Sequence, residues 1–245
     1  MRFVDSHLHL DGLDGPGLVS SAAANSTILV SCGIDGETSK TTLKLAGAFP
    51  ETVRAFVGVH PSEAARAGPL DWLGGALERA AGLGEVGLDP KYSGTDAKGA
   101  QMELFLTQLE AAEGHGRPVQ VHSRDAEREC LDALGGFRLG RVLLHWFQGA
   151  GFLSEALGRG YLVSFGPTLL YSKRLQRMAA TCEPNQVLTE TDWPVSYTPL
   201  GGVRGPSLVP SVVFKLAELW GLRFEDARVT VLGNSMRFLG LSEKG

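Results

Sequence analysis

Short apolar runs recur along the chain and alternate with longer segments in which apolar residues are spaced as on one face of a helix. Brief apolar runs bounded by glycine, proline or polar residues are typical of buried strands, whereas apolar spacings of three and four are typical of helices. On this basis eight strands are predicted: residues 2–6, 27–31, 54–59, 83–87, 118–122, 141–145, 161–165 and 186–191.

Two of the intervening segments have clear helical patterns. Near residues 97–114, Met102 and Phe105 begin a helically spaced apolar series, and a similar series occupies residues 208–220. Regular alternation of strands and helices over a chain of this length is typical of one closed barrel rather than two domains. The sequence therefore predicts a single-domain α/β fold, a (β/α)8 TIM-type barrel over residues 1–245.

Potential metal ligands stand where the predicted strands end. Because successive side chains of a strand alternate between its two faces, His7 and His9 are expected on the same face. Later apolar runs are closed by one candidate ligand each: Glu85, His122, His145 and Asp192. In a (β/α)8 barrel the active site lies at the carboxyl ends of the strands, so these residues predict one metal site assembled there.

The ligand types restrict the chemistry. Imidazoles and carboxylates suit divalent zinc, manganese, nickel or magnesium, and the pattern does not choose among them. The cysteines Cys32, Cys130 and Cys182 are far apart and form no CxxC pair, which predicts reduced, buried thiols. Six ligands are too many for one hydrolytic ion that also binds water, so two ions are predicted, with Glu85 as the bridging carboxylate.

Charge and hydropathy bear on partners and location. With 23 basic and 27 acidic residues, the formal net charge is −4, and the broad basic surface typical of proteins that bind long duplex DNA is not expected. Binding of long duplex is therefore disfavoured. Neither a signal-like apolar stretch at the amino terminus nor a run long enough to cross a bilayer is evident, which predicts a cytoplasmic protein without a membrane or an obligate protein partner.

Several motifs, in order, resemble the successive signatures of the TatD family of metal-dependent hydrolases. They lie at residues 5–11 (DSHLHLD), 58–61 (GVHP), 84–89 (GEVGLD), 118–125 (PVQVHSRD), 145–149 (HWFQG), 190–194 (ETDWP) and 234–240 (NSMRFLG). The resemblance covers almost the whole chain. It implies a barrel with a two-metal site and phosphodiesterase or deoxyribonuclease activity, with DNA ends or small phosphodiesters as the expected substrates.

The resemblance also implies how the ligands divide and which residues contact the substrate. His7, His9, Glu85 and Asp192 would hold one ion, and Glu85, His122 and His145 would hold the other. His60 is a candidate phosphate contact by the same resemblance. For Arg124, a phosphate contact and a surface ion pair are both open interpretations.

Two cations close together would lower the pKa of a shared water and bind phosphoryl oxygens, so Glu85 and Asp192 are predicted to be catalytic. Asp192 has two expected roles, as a metal ligand and as the base that accepts a proton from the attacking water. Asp5 shares strand parity with the histidines, which favours a contact with an imidazole. Asp89 is either such a partner or a loop cap, and His115 is expected outside the site, at the end of a helix.

The substrate and the bond that is hydrolysed have alternative interpretations. The same chemistry attacks carbonyl carbon, so hydrolysis of an ester, lactone or amide, including deacylation of an aminoacyl nucleic acid, is the second hypothesis; a binding protein without turnover is the third. Bulky residues near the predicted site either stack on unpaired bases or pack beneath the loops: Trp146, Phe147, Trp193 and Tyr197. Residues 199–207 resemble a shortened form of the family's arginine-glycine loop, which leaves Arg204 doubtful as a substrate ligand.

Overall fold

The computed structural model describes residues 2–12, 14–92 and 97–241, and the predicted domain over residues 1–245 extends beyond these at both ends. Eight parallel strands follow one another in chain order around a single sheet. They are β1 (Phe3–Leu8), β2 (Thr27–Cys32), β3 (Val53–Val57), β4 (Gly82–Gly87), β5 (Val119–His122), β6 (Val142–Leu144), β7 (Leu162–Phe165) and β8 (Val187–Thr189). The predicted (β/α)8 TIM-type barrel is confirmed.

Helices between the strands form the outer layer, and their apolar faces pack on the sheet. They are α1 (Gly15–Ala24), α2 (Gly36–Ala48), α3 (Asp71–Leu77), α4 (Ala97–His115), α5 (Glu127–Leu134), α6 (Leu153–Gly158), α7 (Lys173–Ala180), α8 (Val209–Trp220) and α9 (Phe224–Leu239). The two helices predicted most clearly, near 97–114 and 208–220, correspond to α4 and α8. Among the described residues, no helix combines the length and apolar character that a bilayer crossing requires.

The barrel closes between its first and last strands through the segment that follows β8. Thr189 Oγ1 donates to the carbonyl of Val4 at 3.2 Å, and the backbone N–H of Asp192 donates to the carbonyl of His7 at 2.9 Å. The N–H of His9 in turn donates to the carbonyl of Trp193 at 2.8 Å. These bonds extend the junction beyond the end of β8 and bring Asp192 beside the two histidines of the β1 region.

The two ends of the barrel interior have different character. Near the strand starts the interior is apolar, and α9 covers it: the ring of Phe238 stacks on that of Phe56, with centroids 5.8 Å apart. Asn234 of α9 also donates to the carbonyl of Val187, the first residue of β8, at 2.8 Å. With this end filled by side chains, polar groups inside the barrel collect at the carboxyl ends of the strands.

Three strand boundaries differ from the sequence-based prediction in ways that matter for the site. Strand β3 ends at Val57 rather than at residue 59, β6 ends at Leu144, and β8 ends at Thr189 rather than at residue 191. His60, His145 and Asp192 therefore lie on the connections just beyond the strands. The apolar pattern continues past these ends because the connecting backbone is itself buried.

Candidate metal centre

Strand β4 places Glu85 at the centre of the site. Its two carboxylate oxygens face different sets of imidazoles: Oε1 lies 2.6 Å from His122 Nδ1 and 2.7 Å from His145 Nε2. Oε2 lies 3.5 Å from His7 Nε2 and 3.4 Å from His9 Nε2. Glu85 is nearly inaccessible, at 3% exposure. One carboxylate thus stands between two groups of nitrogen ligands, in the position predicted for a bridge.

Glycine at position 87 allows this strand to approach β5 closely. Gly87 has a φ of +138°, and a Cβ atom there would lie 2.0 Å from the carbonyl oxygen of His122. The N–H of Leu88 donates to that same carbonyl at 3.0 Å. The backbone of β4 therefore fits against His122 only without a side chain at position 87.

Asp192 completes the group on the β1 side. Its Oδ1 lies 3.6 Å from His7 Nε2 and 3.5 Å from His9 Nε2. The residue has a φ of 45°, which is uncommon for a residue with a side chain and is often associated with functional sites. The structure therefore brings together all six predicted ligands, which were His7, His9, Glu85, His122, His145 and Asp192.

Hydrogen bonds on the far side of each imidazole indicate which nitrogen is free to bind a cation. His9 Nδ1 donates to the carbonyl of Cys32 at 2.9 Å, which leaves the lone pair of Nε2 toward the centre. In His122 the two ring nitrogens exchange these positions: Nε2 lies 2.7 Å from Asp89 Oδ2, and Nδ1 faces Glu85. In a neutral ring the proton stays on the nitrogen that meets this far-side acceptor, so the nitrogen that faces the centre is the one that would bind a cation.

Of the remaining two imidazoles, His7 has a hydrogen-bond partner behind it, whereas His145 has a carboxylate just beyond hydrogen-bond distance. His7 Nδ1 lies 2.7 Å from Gln120 Oε1, and His145 Nδ1 faces Glu190 Oε2 at 3.6 Å. The His7 and His145 rings are stacked with centroids 3.8 Å apart, which brings the two ligand groups into contact across the site.

His60 differs from these four histidines. Its Nδ1 accepts a hydrogen bond from the backbone N–H of Ser62 at 3.0 Å, so a neutral His60 carries its proton on Nε2. That Nε2 lies 3.5 Å from Glu85 Oε1 and faces the centre as a donor. Burial lowers the pKa of His60 to about 4, which favours the neutral ring. The geometry suits a hydrogen bond to a substrate oxygen better than a bond to a metal.

The carboxylates of the site favour positive charge on the imidazoles beside them. Burial alone would lower the pKa of His9, but hydrogen bonds to Asp192 and Glu85 raise it to about 10. Burial likewise opposes the charged form of His145, yet the charge of Glu85 holds its pKa well above the ordinary value. The potential that stabilises a proton on these rings is the potential that attracts a divalent cation.

Two further observations indicate that these residues are suited to bind a metal ion. His7 Nε2 is buried and has no hydrogen-bond partner among the described residues, although an unpaired buried polar atom is unfavourable. Three groups of candidate ligand atoms each lie within 4.8 Å of one another: His7, Glu85 and His145; His7, His9 and Asp192; and His60, Glu85 and His122. Imidazole and carboxylate are the donors that zinc, manganese and nickel accept.

A cavity of about 370 Å³ opens beside the centre and is lined by His122, His145 and Asp192 together with side chains of the surrounding loops. Arg124 lies on its wall, with Nη2 2.8 Å from Asp89 Oδ2 and the guanidinium 4.8 Å from the centre of the Tyr92 ring. An ion pair is thus present at Arg124, and its side chain remains 40% exposed toward a ligand in the cavity.

The aromatic residues named from the sequence have different environments. Trp193 is 6% exposed and packs with Leu8 and Leu10, while the Tyr197 hydroxyl donates to the carbonyl of Thr191 at 2.7 Å. Both are core residues, as is the buried Phe147. Within the described part of the chain, Trp146 is the member of this set that lines the cavity.

Three other residues considered from the sequence, Asp5, Arg204 and His115, are not among the residues grouped around Glu85. Asp5 accepts hydrogen bonds from the N–H and Oγ1 of Thr191, at 2.9 and 2.5 Å, so it joins β1 to the segment after β8; the predicted contact with an imidazole is wrong. The backbone register is irregular between residues 5 and 8, which alters the simple strand parity. Arg204 lines a separate cavity near Asn25, and His115 Nδ1 donates to the carbonyl of Ala111 at the end of α4.

Sequence reasoning missed two buried polar residues behind the imidazoles, Gln120 and Glu190. Gln120 stands between two valines of β5 and shares strand parity with His122, a pattern that could have indicated an inward-facing polar group. Glu190 accepts a hydrogen bond from Ser164 Oγ at 2.7 Å and is fully buried beside His145. Exposed Tyr92, on the cavity wall, carried no distinguishing sequence signal.

Comparison with known sequences gives a consistent family assignment. The family model described as TatD related DNase matches residues 4–240. A Mycobacterium tuberculosis protein named as the uncharacterized metal-dependent hydrolase TatD is 30% identical over 261 residues, covering 97% of this chain and 98% of that protein. The Homo sapiens protein named deoxyribonuclease TATDN3 is 30% identical over 256 residues, with 96% and 93% coverage.

Solved structures agree in fold. The TatD homologue YJJV from Escherichia coli K12 superposes with a TM-score of 0.88 at 24% identity, with 98% of each chain covered. A TatD family hydrolase from Entamoeba histolytica gives a TM-score of 0.83 at 14% identity, covering 97% of this chain and 98% of that one. The eight-stranded barrel is therefore shared with proteins of quite different sequence.

Proposed function

This chain belongs to the TatD-related DNase family of metal-dependent hydrolases, and on that premise we propose that it hydrolyses phosphodiester bonds of DNA from an end, using two divalent ions. The observation that carries the proposal is the position of Glu85, whose two oxygens face separate pairs of imidazoles. A carboxylate between two such groups is suited to bridge two ions.

The ligands divide between the two oxygens of that carboxylate. His7, His9 and Asp192 would hold one ion with Oε2 of Glu85, and His122 and His145 would hold the other with Oε1. When bound, such ions lower the pKa of water and neutralise charge on phosphoryl oxygens. Zinc, manganese, nickel and magnesium are the ions to test, and the imidazoles favour a transition metal.

Asp192 is the proposed proton acceptor for the attacking water as well as a ligand. Its carboxylate borders the cavity, whereas Glu85 is almost completely enclosed. Burial would raise the pKa of Asp192, but the hydrogen bond with His9 and the nearby imidazoles lower it. An ionised carboxylate at the edge of the cavity can orient a water molecule and take its proton.

The cavity wall and His60 behind it supply groups that suit a phosphate and its neighbouring base. On the wall, Arg124 and Lys91 carry positive charge, and Tyr92 and Trp146 offer aromatic faces. His60 contacts the rings of Tyr92 and His122 and presents an Nε2–H donor. Aromatic faces beside cationic groups are typical of proteins that bind unpaired nucleotides. Together with the net charge of −4, this favours a strand end or a short phosphodiester over a long duplex.

The name of the human relative, deoxyribonuclease TATDN3, supports DNA as the substrate class. The test is to incubate metal-stripped protein with single-stranded DNA labelled at either end, restoring one divalent metal at a time, and to follow product lengths. Progressive shortening from one end that chelator abolishes is the expected result.

Two variants distinguish cleavage by this site from cleavage by a contaminating nuclease. Glu85→Gln should lose cleavage and bound metal together, because an amide cannot bridge two cations with two anionic oxygens. Glu110→Gln, an exposed position on α4, is the matched control and should behave as wild type. Wild-type protein that binds metal but leaves DNA intact would overturn the nuclease proposal and favour hydrolysis of a carbonyl ester or amide.

A further inference from the structure

Gln120 of β5 spans the barrel interior and contacts the region of β1 that carries His7. The side chain is fully buried. Its Nε2 donates to the backbone carbonyl of Ser6 at 2.8 Å, and its Oε1 lies 2.7 Å from His7 Nδ1. Position 120 is flanked by Val119 and Val121, and a polar side chain that is fully buried at this position requires a specific partner.

The Ser6 carbonyl determines how the amide is oriented. A carbonyl oxygen can only accept a hydrogen bond, so the amide nitrogen of Gln120 must face it. The amide oxygen is then directed at His7 Nδ1, and because that oxygen can only accept, the imidazole nitrogen must donate. Cys32 Sγ, 3.5 Å from the same oxygen, can donate to its second lone pair.

A neutral imidazole has one N–H group, so a proton on Nδ1 leaves Nε2 as a bare lone pair. His7 Nε2 is buried and unpaired among the described residues, between carboxylate oxygens of Glu85 and Asp192 at 3.5 and 3.6 Å. A lone pair enclosed by two carboxylates is unfavourable unless a cation lies among them.

We propose that Gln120 is a positioning residue that holds His7 in the Nδ1–H tautomer and so directs its Nε2 to a metal ion. The inference rests on the proposed two-metal centre. It concerns only one of the two ions, because His122 and His145 take their orientation from Asp89 and Glu190 rather than from Gln120.

The first test measures the tautomer directly in metal-stripped wild-type protein. Two-bond nitrogen–proton correlation spectra of protein labelled with ¹⁵N at histidine identify which ring nitrogen carries the proton, and the His7 signals are assigned with a His7→Gln variant. At a pH where the ring is neutral, we expect the proton on Nδ1. A proton on Nε2 would overturn the proposal, and this measurement requires no change at Gln120.

The second test uses Gln120→Met, which has similar size and flexibility but lacks the amide oxygen. Loss of a hydrogen-bond partner behind a metal-binding histidine typically weakens metal binding about 10- to 100-fold. We therefore expect one of the two dissociation constants, measured by competition with a chelator, to rise by about that factor while the other stays unchanged. Unchanged affinity for both ions would contradict the proposal.

Gln108→Met is the matched control. Gln108 is also fully buried, and its side chain bonds the N–H and carbonyl of Val59 at 2.7 and 3.0 Å. The control should unfold at lower temperature yet keep both metal affinities. A control that loses the same ion as Gln120→Met would show a general effect of barrel stability and would refute the specific role of Gln120.

Different results would overturn the two-metal function and the role of Gln120. Wild-type protein that binds no divalent ion would overturn the two-metal function, whatever the His7 tautomer. Protein that binds two ions, with both affinities preserved in Gln120→Met, would overturn only the role of Gln120.

Discussion

Asp89 Oδ2 accepts a hydrogen bond from His122 Nε2 at 2.7 Å, and the guanidinium of Arg124 lies 2.8 Å from the same oxygen. Asp89 is fully buried, and burial would raise its pKa, but the hydrogen bond with His122 and, after it, those with the Lys91 N–H and Arg124 lower it. This arrangement turns Nδ1 of His122 toward Glu85. Arg124, a candidate phosphate contact, therefore also contacts the carboxylate that orients the His122 imidazole.

Asp89→Asn should weaken the binding of the ion held by His122. The amide has one acceptor oxygen where the carboxylate has two, and those oxygens receive His122, Arg124 and the N–H of Lys91. By analogy with other partners of metal-binding histidines, we expect about a 10- to 100-fold rise in one dissociation constant. Competition with a chelator measures it, and equal affinities in variant and wild type would contradict the role of Asp89.

Asp192→Asn tests the proposed proton acceptor. An amide can orient water but cannot take its proton, so kcat should fall about 10²- to 10⁴-fold, the usual contribution of general base catalysis. Bound metal is measured on the same preparation by elemental analysis. Wild-type turnover with metal retained would remove Asp192 from the mechanism.

His60→Leu should impair substrate use without changing metal content. The ring nitrogen that faces the site carries the proton, so its loss removes a hydrogen bond to a charged oxygen, worth about 1.5–3 kcal/mol, or roughly 10- to 100-fold in kcat/KM. His60→Gln retains an N–H donor and should recover part of the activity. A drop in bound metal in His60→Leu would instead identify His60 as a ligand.

Gly87→Ala should disrupt the contact between β4 and β5. The added Cβ would overlap the His122 carbonyl, so we expect loss of several kcal/mol of folding free energy and of metal binding. Gly99→Ala is the control, since nothing lies within 4 Å of a Cβ there and the residue is within α4. That variant should gain about 0.5–1 kcal/mol. Thermal unfolding of the two proteins decides the point.

Asp35 caps α2 and should make stability depend on pH. Burial alone would raise its pKa, but hydrogen bonds from the backbone and side chain of Thr38 lower it. A lowered folded-state pKa stabilises the protein above the unfolded-state value of about 3.9, and this contribution is lost as pH falls through the folded-state pKa. Asp35→Ala should therefore lose about 0.5–2 kcal/mol at pH 7.

The matched variant is Asp35→Asn, which caps a helix without ionising. Denaturant unfolding at pH 7 should place it near wild type. As the pH falls below about 4, wild type alone should lose the contribution of the charged cap, so the two stabilities should converge or cross. A constant difference between them from pH 7 to pH 3 would show that the charge of Asp35 has no role.

Local patterns in the sequence were enough to predict the barrel and to select the candidate ligands. His7 and His9 are two residues apart, and a strand's geometry places such a pair on one face whatever the rest of the chain does. The parity argument was wrong for Asp5, because an irregularity within β1 and the segment after β8 together determine its partner. Sequence left Trp193 and Tyr197 undecided between stacking and packing, and only neighbouring elements show that both are core.

Strand periodicity, the alternation with helices and the type of each ligand are properties of short segments, so the sequence by itself determined the fold class and the six residues that meet at one end of the barrel. Tertiary structure decided which nitrogen of each imidazole faces the centre and how the oxygens of Glu85 are shared. These depend on partners far away in the chain: Gln120 lies 113 residues from His7, and Asp89 lies 33 residues from His122. A proton's place on a ring follows from the acceptor that folding brings beside it.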